Sequence, residues 1–142
     1  MEAMTQLVGE DIVLEEEQDR DRRLLILAGD PYVRDTCAAL ADEFDYDLYS
    51  TSYIENIVNI VKKFQPNGIV IDLGLFEDEG IELHELLLGA EPPLNVLFLE
   101  GEDDELAQAA QTLAESIGFS VIGKLQMPIS VNRLEHVLQH MA

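Results

Sequence analysis

Three stretches of this chain are apolar almost without interruption. They are RLLILAG at residues 23–29, GIVIDL at 68–73 and NVLFLE at 95–100. Continuous runs of Leu, Ile, Val and Phe, with no polar alternation, predict strands covered on both faces in a parallel sheet. Two shorter and more mixed stretches, DLYST at 47–51 and SVIGKL at 120–125, suit the edges of the same sheet.

Between the runs the apolar period lengthens to that of a helix. Asp30 before Pro31 offers an N-cap followed by an N1 proline, and Val33, Cys37, Leu40 and Phe44 then recur at helical spacing. Ile54, Ile57, Val58, Val61 and Phe64 make a second stripe that ends at Pro66. Ile81, Leu83, Leu86 and Leu87 predict a short third helix, stopped before Pro92 and Pro93. Leu106, Ala110, Leu113 and Ile117 mark a fourth, closed by Gly118. Ser130 caps a fifth, with Leu134, Val137, Leu138 and Met141 on its inner face. Strict alternation of strand and helix predicts right-handed crossovers covering both faces of one sheet, a doubly wound α/β sandwich.

The rest of the composition bounds this picture. A length of 142 residues and 47% hydrophobic content fit one core, over residues 23–142. Residues 1–22 end in the charged run LEEEQDRDR and read as an acidic tail or arm, although Leu7, Val8, Ile12, Val13 and Leu14 leave room for an arm that docks on a neighbour. One cysteine, Cys37, excludes an intramolecular disulfide, and the start of the chain lacks the regions of a signal peptide, so a cytoplasmic setting is expected. No apolar run approaches the length that spans a bilayer. With 29 acids against 8 Lys plus Arg, the formal charge of −21 repels phosphate backbones and anionic lipid. Direct nucleic-acid or membrane contact is not expected. The acids either keep the domain soluble or meet a cationic partner.

In doubly wound folds ligands sit outside the carboxyl ends of the strands. Those ends are Ala28, Gly29 and Asp30 after the first run, Asp72 after the third, and Glu100 with Gly101 after the fourth. A buried strand that stops on a carboxylate, as GIVID does at Asp72, is the main chemical signal in the sequence.

Around these residues the chain resembles a response-regulator receiver domain of two-component signalling over about residues 23–141. The resemblance rests on LLILAGDPYVR, IVIDLGLFEDEGIEL with its Asp72 to Gly80 spacing, VLFLEGEDDE, and VIGKLQMPIS. The last phrase is also similar to receivers that precede EAL-type cyclic-di-GMP phosphodiesterase domains. The resemblance implies the flavodoxin-like fold, with strand order 2-1-3-4-5, and makes Asp72 the position that accepts a phosphoryl group from a histidine kinase. It further implies a magnesium ion held by an acidic pair after the first strand, a lysine before a proline after the fifth, and a Ser or Thr coupled to an aromatic switch.

The sequence departs from that pattern at most of these places. The acidic pair falls on Ala28 and Gly29, with Asp30 one residue later; the lysine is Met127, before Pro128; the Ser or Thr is Glu100; the aromatic is Lys124; and a usual proline is Phe76. Phosphoryl transfer asks mainly for positioning and positive charge, and here no cation replaces the missing ones. The expectation is a degenerate receiver with a vestigial Asp72 and no cofactor, acting through a kinase, an output domain or a homodimer formed through residues 106–141. The alternatives are a magnesium-dependent phosphoreceiver modified at Asp72 and a small-molecule site in the same crevice. An ion pair between Glu100 and Lys124 would lock the switch positions; the competing expectation is that both point into water. The acids Glu77, Asp78 and Glu79 read as an exposed loop. His84, His136 and His140 are too scattered for a shared metal site, although the spacing of His136 and His140 allows casual metal binding on a helix face. No phosphate-binding glycine loop and no context for a Ser or Cys nucleophile is present.

Overall fold

In the computed structural model residues 22–53, 55, 57–76, 80–89, 94–101 and 104–141 are described. The elements alternate as β1 (Arg23–Leu27), α1 (Pro31–Glu43), β2 (Asp47–Thr51), α2 (Ile57–Phe64), β3 (Gly68–Asp72), α3 (Gly80–Gly89), β4 (Asn95–Glu100), α4 (Asp104–Ile117), β5 (Ser120–Gln126) and α5 (Val131–Gln139), with a 3-10 turn at Leu73–Phe76. All four strand pairings are parallel, and the order is β2-β1-β3-β4-β5. This is the flavodoxin-like arrangement, with the two mixed strands at the edges as their composition predicts.

Alternate residues of the central strands feed two separate core layers, because successive strand side chains point to opposite faces. Leu25, Leu27, Ile69, Ile71, Val96 and Phe98 pack against α2, α3 and α4. Leu24, Ile26, Val70, Leu97 and Leu99 pack against α1 and α5. The arm and Ile54 lie outside the described residues, as do Glu77, Asp78 and Glu79. In α4 the innermost residues are Ala107, Ala110 and Ala114, with Leu106, Leu113 and Ile117 packed at the flanks. The expected leucine stripe is thus rotated, because small side chains let this helix lie close on the sheet.

The ends of the sandwich are pinned by specific bonds. Arg22 donates from Nε to the carbonyl of Phe44 and lies 4.7 Å above the Tyr46 ring. Arg23 Nε donates to the carbonyl of Gln65 at 2.8 Å, tying the foot of β1 to the end of α2. The buried Tyr46 hydroxyl donates to the Leu138 carbonyl at 2.6 Å. Met141 is fully buried beside Gly68, where a Cβ would fall 2.9 Å from Met141 Cγ, so this glycine is what admits the methionine side chain. Gly118 ends α4 at φ +104, in the left-handed region that a glycine adopts without cost.

One irregularity matters for the site. Val96 pairs with Val121 but Leu97 pairs with Gly123, so β5 carries an extra residue at Ile122. Such a bulge turns every later side chain of the strand by one position.

Two outcomes follow for stability. Tyr46→Phe removes a buried hydrogen bond to a carbonyl that keeps only its longer bond from the Met141 amide, and is expected to cost about 1 kcal/mol in urea unfolding. Burial pushes the Cys37 thiol up from 9.0 to about 12. Between those values the unfolded chain has lost a proton that the folded chain keeps, so folding stability falls as pH rises through that window and is intact below it. Cys37→Ala should flatten that slope.

Candidate functional site

The register brings the strand ends together. Leu27 pairs with both Thr51 and Ile71, Asp72 with Leu99, and Glu100 with Gln126. Ala28, Gly29, Asp30, Asp72 and Glu100 therefore meet at the carboxyl edge of the sheet. Ala28 is fully buried and continues the α1/α5 layer, whereas Gly29 and Asp30 are exposed.

Asp30 is spent on structure. Its backbone is extended and its Oδ1 accepts the Tyr32 amide at 2.9 Å, capping α1 as the Asp-Pro pair predicts. Asp72 is half-buried. Its Oδ1 accepts the Gly74 amide at 3.0 Å, and its Oδ2 lies 3.5 Å from the Gly29 amide. The 3-10 turn after β3 thus folds back onto the carboxylate that ends the strand. Phe76, in that turn, is fully buried in the core layer under α2 and α3.

The residue that sequence reasoning missed is Arg34. From the first turn of α1 its Nη1 donates to the carbonyl of Ala28 at 2.7 Å and to that of Gly29 at 3.1 Å. A guanidinium is therefore fixed against the two backbone carbonyls of the loop after β1. Its signal in the sequence is an arginine one turn inside a helix whose cap, Asp30, follows a strand end directly. Gln126 was missed as well: its Nε2 donates to the Gly101 carbonyl at 2.9 Å. Beside it the Met127 amide donates to the Glu100 carbonyl at 2.9 Å, and the Met127–Pro128 peptide bond is cis.

Glu100 is half-buried and Lys124 is exposed, and no ion pair joins them among the described residues. The proposed lock is corrected on this point. Lys124 lies opposite Phe98, whereas Glu100 lies opposite Gln126; the bulge widens their offset from one residue to two. A two-residue offset is about 7 Å along the sheet, and an exposed pair gains at most about 1 kcal/mol against the cost of ordering two long side chains.

Above the edge lies a cleft of about 390 Å³, walled by Asp30, Tyr32, Gly101, Gln126, Met127 and Pro128. Tyr32 stands 59% exposed at its rim. Asp72 does not line this cleft; its carboxylate lies against the Gly29 and Gly74 amides. Among the described residues no three His, Cys, Asp or Glu side chains converge closely enough to hold a metal ion, and no helix is long and apolar enough to cross a membrane.

Solved structures with this architecture are numerous. A response regulator from Colwellia psychrerythraea superposes with a TM-score of 0.64 at 20% identity, covering 82% of this chain and 93% of that one. The receiver domain of a response regulator from Bermanella marisrubri gives 0.66 at 15% identity, covering 84% and 96%. The fold is that of a response-regulator receiver domain. A third receiver, from a sensor histidine kinase of Pseudomonas aeruginosa, gives a TM-score of 0.59 at 15% identity over 84% of this chain and 96% of its own, and holds magnesium in its active-site cleft. No family model matches the sequence, and no curated protein matches it. The receiver fold here is thus recognised through the course of its backbone.

Arg34→Ala should lower stability by about 1–3 kcal/mol, because the buried end of β1 loses a charged donor. Asp30→Ala should cost about 1 kcal/mol through the lost cap. In amide hydrogen exchange the first change should loosen residues 28–30 and the second the first turn of α1.

Proposed function

We propose that this chain is a pseudo-receiver: a receiver fold that works in signal transduction by protein–protein contact rather than by efficient phosphotransfer. The supporting observation is the use of Arg34. At the place where the resemblance puts an acidic pair and a magnesium ion, this chain offers two backbone carbonyls already bonded to a guanidinium. Magnesium takes hard oxygen ligands in octahedral geometry, usually with one or two carboxylates. Ala28 and Gly29 carry no side-chain oxygen, Asp30 caps a helix, and the carbonyls of Ala28 and Gly29 already accept from the Arg34 guanidinium. These residues do not fit the ion.

The phosphoryl group fares no better. Transfer to Asp72 needs counter-charge around the developing anion. The position of the helper lysine is Met127, which packs partly against the α1/α5 layer, and the position of the hydroxyl is Glu100. Metal stabilisation alone is worth several kcal/mol in the transition state, and each ~1.4 kcal/mol is a factor of ten in rate. Asp72 keeps its place because its carboxylate holds the Gly74 amide and the turn after β3.

Contact then falls to the surface of α4, β5 and α5, within residues 106–141, with a kinase, an output domain or a second copy as partner. Val131, 40% exposed at the start of α5, is an apolar residue on that surface. One observation favours the second reading, a working phosphoreceiver: Asp72 remains half-exposed at the sheet edge, reachable by a donor.

Incubation with acetyl phosphate and magnesium separates the two. Intact-mass spectrometry is expected to show no phosphorylated species, and an adduct lost in Asp72→Asn would establish the second reading. Val131→Glu is expected to alter self-association or partner capture in size-exclusion chromatography while leaving thermal unfolding nearly unchanged.

A further inference from the structure

The last turn of α5 carries two histidines, His136 and, at the C-cap, His140. Four residues apart on a helix, they share one face, and both are exposed. Their ring centroids are 5.0 Å apart with planes inclined at 54°. His140 Nδ1 lies 3.0 Å from the carbonyl oxygen of His136. A carbonyl only accepts, so Nδ1 carries the proton and Nε2 presents its lone pair to solvent. Leu134 and Leu138, fully buried on the opposite side of the helix, fix the face that the two rings occupy.

We propose that His136 and His140 form a two-histidine clamp for a borderline divalent transition-metal ion such as zinc, nickel, copper or cobalt, with water in the remaining positions. The spacing of the rings matches that of two imidazoles sharing one ion. With each imidazole nitrogen about 2.1 Å from a metal and a tetrahedral angle between them, the ring centres fall roughly 5 Å apart. The bond from His140 Nδ1 to a backbone carbonyl is the support that metal-bound histidines characteristically have; it sets the tautomer and the ring direction before an ion arrives. A shallow groove of about 290 Å³, walled by the two histidines with Ile122 and Val137, leaves room on the solvent side for the ion and its waters. The surrounding charge of −21 draws cations toward the surface. Imidazole donors select zinc, copper and nickel over magnesium and calcium, which favour oxygen. The clamp depends on α5 alone and is independent of the fate of Asp72.

The test is calorimetric titration of the full chain with nickel and with copper at physiological salt, in excess magnesium to occupy the surface acids. Saturable binding of one ion per chain is expected, with copper tighter than nickel. Copper electron paramagnetic resonance should show coupling to two nitrogens. His136→Asn and His140→Asn should each weaken binding about tenfold or more, and the double variant should abolish it. Thermal unfolding without metal should be similar for all variants, which confirms that each is folded. One ion per two chains, lost in either variant, would also support the clamp, with the open positions filled by a second copy. Binding that survives in the double variant, a copper spectrum with oxygen donors alone, or no binding under these conditions would overturn it.

Discussion

The hydrogen bonds from Arg34 to the carbonyls of Ala28 and Gly29 set the character of the whole carboxyl edge of the sheet. They close the loop after β1 with a cation that belongs to the protein. The carboxylates at that edge are engaged elsewhere or stand apart. Asp30 turns away to cap α1, Asp72 accepts the turn that follows it, and Glu100 stands half-buried at the end of β4. A site built to gather negative oxygens needs free positive charge, and here the fixed guanidinium is already coordinated by the backbone.

Much of the architecture was legible because the two periodicities rarely compete in this sequence. The runs at 68–73 and 95–100 contain no polar alternation, and a strand of that kind has nowhere to go but the middle of a parallel sheet. Asp30-Pro31 and Ser130 are caps whose side chains do what their types predict, accepting the amides of Tyr32 and Arg133. Less legible was α4, whose contact face is built on alanine; a small residue carries little weight in an apolar stripe yet permits the closest approach. The bulge at Ile122 was invisible. One extra residue in a mixed edge strand leaves no trace in a two-residue period, and it moves Lys124 from the level of Leu99 to that of Phe98.

At the site, Ala28, Gly29, Asp72 and Glu100 were legible as strand ends, and the structure brings them to one edge of the sheet. What those residues do to one another was not legible. The hold of Arg34 on two carbonyls depends on the path of the loop, which no spacing rule encodes, and the bond from Gln126 to Gly101 depends on the same register shift that separates Glu100 from Lys124. The histidine pair stands between these cases: its spacing was plain in the sequence, while the tautomer that makes it a ligand pair came from a single bond to the His136 carbonyl.

The central claim is that this edge has no use for a hard divalent cation. Titration of the isotopically labelled protein with magnesium, followed through the backbone amides of Gly29, Gly74 and Gly101, measures that directly. The account predicts small, non-saturating shifts no larger than those at exposed acids elsewhere on the surface. Saturable shifts confined to these three amides, abolished by Asp72→Asn, would contradict it.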